Sequence, residues 1–282
     1  MSAYAPPIIA ALLLWWASTG FIFYLNGLPR RTLPWSMAGA TIGLLFAFWG
    51  VYVTRGEMSA ASAYCAFLCG LMIWGWQVIT YYMGFVTGPN HAPCPPTLRG
   101  WGRFVKALRT SLYHEIVIVL CALALVALTW GQRNQIGLST FLILWWAHTS
   151  AKLNLFFGAP NLGVELLPAD LRYLATYMRR RSMNLFFPVS VTAWTVAAVC
   201  VTQRALAAAT PFDLVGYTIL ATLFAVAVAE HWFLVAPLHA NALWSWGVKN
   251  DQSENTELYP AIEQKIERLC PAIDARHVAG GI

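Results

Sequence analysis

The chain has 282 residues, of which 59% are hydrophobic and 11% charged, and its formal net charge is +6. A soluble domain carries about 25% charged residues, and here the apolar residues fall in blocks of about 20, the length that crosses roughly 30 Å of hydrocarbon. The composition excludes an ordinary soluble enzyme and leaves no room for a separate soluble domain; it predicts an all-α polytopic membrane protein.

Seven spans are expected, at 6–28, 35–54, 60–86, 112–130, 136–158, 184–203 and 212–239, within one transmembrane domain over 1–246. The first has no basic n-region and no clear small-residue cleavage site, so it reads as retained rather than as a signal peptide. Between the third and fourth spans, Gly88-Pro89-Asn90-His91-Ala92-Pro93-Cys94-Pro95-Pro96 cannot be helical, because proline removes donors and blocks the α region before it. Residues 97–111 then mix apolar Leu98, Trp101, Phe104, Val105 and Leu108 with Arg99, Arg103, Lys106 and Arg109 at helical period, which predicts an amphipathic helix on the membrane interface. Gly158 and Pro160 end the fifth span, and the loop to Arg181, with Glu165 and Asp170, has two readings: a lid over the polar residues below, or an ordinary surface loop. A polar tail follows from 247 to 282.

Loop charge sets the orientation. Fourteen of the 18 Lys and Arg residues fall in the first, third and fifth loops and the tail; only Arg55, Arg133 and Arg204 fall on the other side, with Lys152 inside a span. Positive charge marks the cytoplasmic side, so the N-terminus lies outside and the tail inside, as an odd number of spans requires. The net charge therefore belongs to loops facing the headgroups of the lipid bilayer and is not a nucleic-acid signal. The six cysteines include no CxxC pair and read as small apolar side chains.

Three fully charged residues lie within spans: Glu115, Lys152 and Glu230. Charges in a bilayer are expensive, and this orientation puts all three in its cytoplasmic half. His114 neighbours Glu115, His231 neighbours Glu230, and His148 lies one turn from Lys152 on the same face. His114, Glu115, His148, Glu230 and His231 are therefore candidates to ligate a pigment or a metal. Lys152 with Glu115 or Glu230 is a candidate ion pair or proton relay, and a purely structural pair is the plain alternative. Asn154, Asn161, Asn184 and His239 are polar residues at helix ends on the same side. No HExxH or ExxH spacing supports an iron or zinc site, so metal is the weaker expectation.

The stretches His148–Asn161, Arg180-Arg181-Ser182-Met183-Asn184-Leu185-Phe186-Phe187-Pro188 and Ala229-Glu230-His231-Trp232-Phe233 resemble the PuhE family of photosynthetic complex assembly proteins from purple phototrophic bacteria, over residues 1 to about 247. The resemblance implies a multi-pass protein of the bacterial inner (intracytoplasmic) membrane. It implies a role in assembling the photosynthetic apparatus or in modulating bacteriochlorophyll production. It also implies reaction-centre or light-harvesting subunits, or pigment-biosynthesis proteins, as partners. It carries no catalytic residues. A bacteriochlorophyll-type tetrapyrrole is the ligand it suggests, held by a histidine such as His148 or His231. The competing readings are a metal-dependent membrane enzyme modifying a tetrapyrrole or carotenoid, and a transporter; no inverted repeat supports the latter.

Overall fold

The computed structural model describes residues 3–236, 243, 244 and 246, so the readings made for His239, Cys270 and the 247–282 tail lie outside the described residues. The chain folds into α1 (Ala5–Asn26), α2 (Leu33–Thr54), α3 (Ala60–Tyr82), α4 (Gly100–Leu108), α5 (Leu112–Thr129), α6 (Ile136–Phe157), α7 (Phe186–Leu206) and α8 (Pro211–Phe233), with short 3-10 turns in the loops. The protein is an all-α polytopic membrane protein. Six helices are both long and apolar enough to cross a bilayer: α1, α2 with its lead-in from Arg30, α3, α5, α7 and α8. The 22-residue α6 is as long, about 33 Å at 1.5 Å per residue, but its Ser, Thr, His, Lys and Asn side chains lower its apolarity.

Local chemistry sets the ends. Ser59 and Ser62 form a reciprocal capping box that starts α3, each hydroxyl accepting from the other's backbone N–H at 3.1 Å. That helix stops at Tyr82 rather than 86, because Gly84 turns left-handed (φ +78°) and the N–H groups of Phe85 and Val86 fold back onto the Thr80 carbonyl. Thr210 caps α8, accepting from the Asp213 N–H at 3.0 Å, with Pro211 in the first turn. The interfacial helix α4 is shorter than 97–111, starting at Gly100 (φ +57°), after Pro95 and Pro96.

Inside a bilayer lipid is as apolar as leucine, so helices associate through close packing and polar contacts rather than through burial from water. α3 and α8 are the most enclosed helices, with α6 between them and α1, α2, α5 and α7 around the outside. The tightest crossing is α3 on α6: a Cβ built on Gly70 would lie 2.4 Å from the Gly137 carbonyl oxygen. Ala63, Ala66, Phe67, Ile219 and Leu223 fill the layer shared with α8, and Ile73, Trp74, Ile118, Leu125 and Phe141 fill the layer under α2 and α5.

The loops at each end of the bundle are tied together. At one end Asn134 donates to Thr54 and Ser62 carbonyls and its N–H to the Arg55 carbonyl. At the other, the 158–185 segment crosses the bundle as a strap. Its Ala159 pairs with Arg180, the Arg179 N–H reaches the Leu155 carbonyl, Thr176 accepts from the Cys94 N–H, and Tyr177 bonds Asn90 and Ala92. Asp170 forms a two-oxygen pair with exposed Arg30, and Glu165 makes no ion pair among the described residues.

Candidate functional site

The ambiguity over which acid faces Lys152 is decided by helix rotation. The Lys152 ammonium donates to Glu115 at 2.5 Å, and Ser111 lies 3.4 Å from both groups. Glu115 is in the first turn of α5, where a negative charge complements the helix dipole, and Lys152 lies before the last turn of α6. The pair is only part-buried, at 35% and 24% side-chain exposure, so it opens to the bundle surface.

Glu230 is not its partner. Adjacent residues on a helix point about 100° apart, and on α8 that angle sends Glu230 and His231 to different neighbours. Glu230 faces the indole of Trp15 on α1. His231 is fully buried and turned toward α6 and α7. Its Nδ1 lies 2.7 Å from the Ala227 carbonyl, which can only accept, so Nδ1 carries the proton. Nε2 then accepts from the Ser150 hydroxyl at 2.8 Å, and Trp194 reaches the same hydroxyl at 3.4 Å. Both ring nitrogens of His231 are occupied.

His114 and His148 join the Lys152 side. His114 is 1% exposed, stacks on Tyr81 with ring centres 4.6 Å apart, and its Nδ1 has no hydrogen-bond partner among the described residues. His148 packs edge-on against Trp74 at 5.5 Å and interacts electrostatically with Lys152 and His114. Its half-buried ring nitrogens find no hydrogen bond among the described residues. The five candidate ligands therefore separate into one group, His114, Glu115 and His148, between α3, α5 and α6, and two isolated residues on α8. Among the described residues no three His, Cys, Asp or Glu side chains come together to hold a metal ion.

The asparagines serve helix ends. Asn184 accepts from the Phe186 and Phe187 N–H groups at the start of α7, and donates to the Gly158 carbonyl at 2.8 Å and to Asn154. Asn154, fully buried, passes the network on to Ser190 at 3.0 Å. Asn161 donates to the Phe233 and Ala236 carbonyls at the end of α8. These amides fill backbone valences that a helix end at the membrane would leave open.

A family described as "Protein of unknown function (DUF3623)" matches residues 1–255. The chain belongs to the DUF3623 family. It is 34% identical over 278 residues to an "Uncharacterized 30.4 kDa protein in puhA 5'region" of Rhodobacter capsulatus, covering 96% of this chain and 97% of that one. No solved structure matches. The full-length agreement with a puhA-region protein bears out the PuhE-type resemblance.

Three features of this DUF3623 chain escape a reading by charge alone. Gln77 is fully buried on α3, donating to the Cys121 sulfur at 3.0 Å while its own oxygen has no partner among the described residues. Tyr81, one turn on, forms the wall beside His114 and Lys152. The signal available was their i, i+4 spacing on one face of an apolar span. Arg103 is the third. Its guanidinium turns inward at 5% exposure, donates to the Phe156 and Tyr177 carbonyls, and stacks on the Phe156 ring at 4.3 Å. It therefore bolts α4 to the end of α6 and to the strap, rather than facing headgroups.

Proposed function

We propose that this photosynthesis-related membrane protein is a non-enzymatic factor of the bacterial inner (intracytoplasmic) membrane. It serves assembly of reaction-centre or light-harvesting complexes, or modulates bacteriochlorophyll production, by holding a pigment during the process. The observation that carries the reading is the full-length similarity to a protein encoded in the puhA 5' region. The side chains are compatible with a tetrapyrrole as cargo. His148 offers an imidazole without a described hydrogen-bond partner, beside Trp74, in a span rich in aromatic residues. An imidazole can supply an axial ligand to the ring's central metal. His231 is the poorer candidate, since both its nitrogens are engaged.

The test is genetic and optical. The gene is deleted in a phototrophic host, and membranes are compared by near-infrared absorption after complementation with wild type, His148→Ala or Glu57→Gln. Deletion is expected to lower the complex bands at least twofold, wild type and Glu57→Gln to restore them, and His148→Ala to restore less than half. Bands unchanged by the deletion remove the proposal.

A further inference from the structure

Helix α4 is too short to cross a bilayer, yet its outward face is apolar. Trp101, Val105 and Leu108 stand at i, i+4 and i+7, so they share one side, and all three are exposed, Trp101 at 75%. The edge of that face is basic. At about 100° per residue, Arg109, Lys106 and Arg99 fall roughly 80–160° round the axis from Trp101, all on one flank. Among the described residues none of these three makes an ion pair. Only residues 109–111 separate α4 from the spanning helix α5, so the outward face lies at the bilayer surface that α5 enters. An apolar face with a basic flank at that level matches a helix set into the headgroup layer of anionic lipid.

The opposite side of α4 holds the strap. Arg103 falls roughly 200° from Trp101, so it points away from the apolar face. Its guanidinium donates to the Phe156 and Tyr177 carbonyls and stacks on the Phe156 ring. The Lys106 carbonyl accepts from the Asn90 side-chain amide at 3.1 Å, and that amide also reaches the Tyr177 hydroxyl at 2.9 Å. Two faces of one short helix thus meet two different things, bilayer on one and strap on the other.

We infer that α4 couples anionic phospholipid to the strap. Trp101, Val105 and Leu108 enter the lipid, Arg99, Lys106 and Arg109 bind headgroup phosphates, and Arg103 passes that anchorage to the 158–185 segment. The inference is independent of the pigment reading. One basic side chain near an anionic surface gives roughly a fivefold preference for it, so two removed charges are enough to measure.

The test is hydrogen–deuterium exchange of the strap amides, such as Ala159, Arg179 and Arg181, which donate to carbonyls of Arg179, Leu155 and Ala159. The full chain is reconstituted in nanodiscs of phosphatidylcholine alone and of phosphatidylcholine with one third phosphatidylglycerol. Strap exchange is expected to be at least fivefold slower in the anionic bilayer. Lys106→Gln with Arg109→Gln is expected to cut that difference below twofold. Arg133→Gln with Arg204→Gln, an equal charge change at exposed residues of the opposite end, is expected to leave it intact. Equal exchange of the wild-type chain in the two bilayers overturns the inference without any variant. A lipid effect untouched by the Lys106 and Arg109 changes, or lost equally in the control, also overturns it. Equal protection by inorganic phosphate added to the phosphatidylcholine nanodiscs overturns the membrane as source and assigns the basic flank to a soluble anion.

Discussion

Lys152 and Glu115 illustrate how a membrane protein tolerates charge. The pair lies near the strap end of the bundle, is partly open, and its acid complements the N-terminus of α5. Its strength falls between that of an exposed pair, below about 1 kcal/mol, and the roughly 3–5 kcal/mol lost on orphaning a buried charge. Lys152→Met is therefore expected to lower unfolding free energy in detergent by about 1–3 kcal/mol, and adding Glu115→Gln to recover most of that. A double variant as unstable as the sum of the singles would show that the two side chains do not interact. Asn184 tests another residue-scale economy. Asn184→Ala removes a cap and the two N–H donors shared among the Gly158 carbonyl and the two Asn154 oxygens, with an expected loss of about 2–3 kcal/mol. Asn184→Asp keeps the acceptor for the α7 amides but sets a carboxylate against the Gly158 and Asn154 carbonyls, so it is expected not to rescue; wild-type melting of that variant would contradict the donor role.

Between elements, backbone approach matters more than side-chain bulk. Gly70 and Gly137 let α3 and α6 pack at a distance no β-carbon allows, since a Cβ on Gly70 would also meet the Gly137 carbonyl carbon at 3.1 Å and Thr140 at 3.0 Å. This crossing holds His148 against Trp74 and so assembles the candidate site. Gly70→Ala is expected to lower the melting temperature markedly or to prevent accumulation. Gly75→Ala, where a Cβ meets nothing within 4 Å, is expected to be neutral or slightly stabilising. Thermal denaturation of the purified variants separates the two; equal melting would mean the crossing relaxes freely. Arg103 works at the same scale. Arg103→Lys keeps the charge but loses the planar fork that reaches two carbonyls and stacks on Phe156, so faster proteolysis of the 158–185 strap is its expected signature.

For the whole molecule the testable property is direction. Basic residues at the strap end predict that this end faces the cytoplasm. In a cysteine-free background, a cysteine at Glu57 is expected to react with a membrane-impermeant maleimide on spheroplasts, and one at Arg99 only after lysis. The reverse pattern would invert the orientation and place the Lys152–Glu115 pair at the opposite surface. The strap belongs to this scale too, because it joins segments far apart in the chain: Arg30 with Asp170, Cys94 with Thr176, Asn161 with the end of α8.

Fold class was legible because it depends on quantities summed along the chain. Apolar runs of bilayer length dictate helices, proline and glycine mark their ends, and basic loops suggest their direction. The intramembrane ionisable residues were also visible one at a time, since each breaks an apolar run. Their grouping was not, because it turns on helix rotation and on which helices touch, and neither is encoded locally. Glu115 and Glu230 are equivalent as letters in the sequence, yet one meets Lys152 and the other Trp15. His148 and His231 look alike until hydrogen bonds from Ser150 and to Ala227 occupy both nitrogens of the second. Arg103 reads as a surface charge until α4 docks and turns it inward. Such outcomes follow from contacts between residues far apart in the chain, from 37 positions for Glu115 and Lys152 to 215 for Trp15 and Glu230, and only the packed bundle decides them.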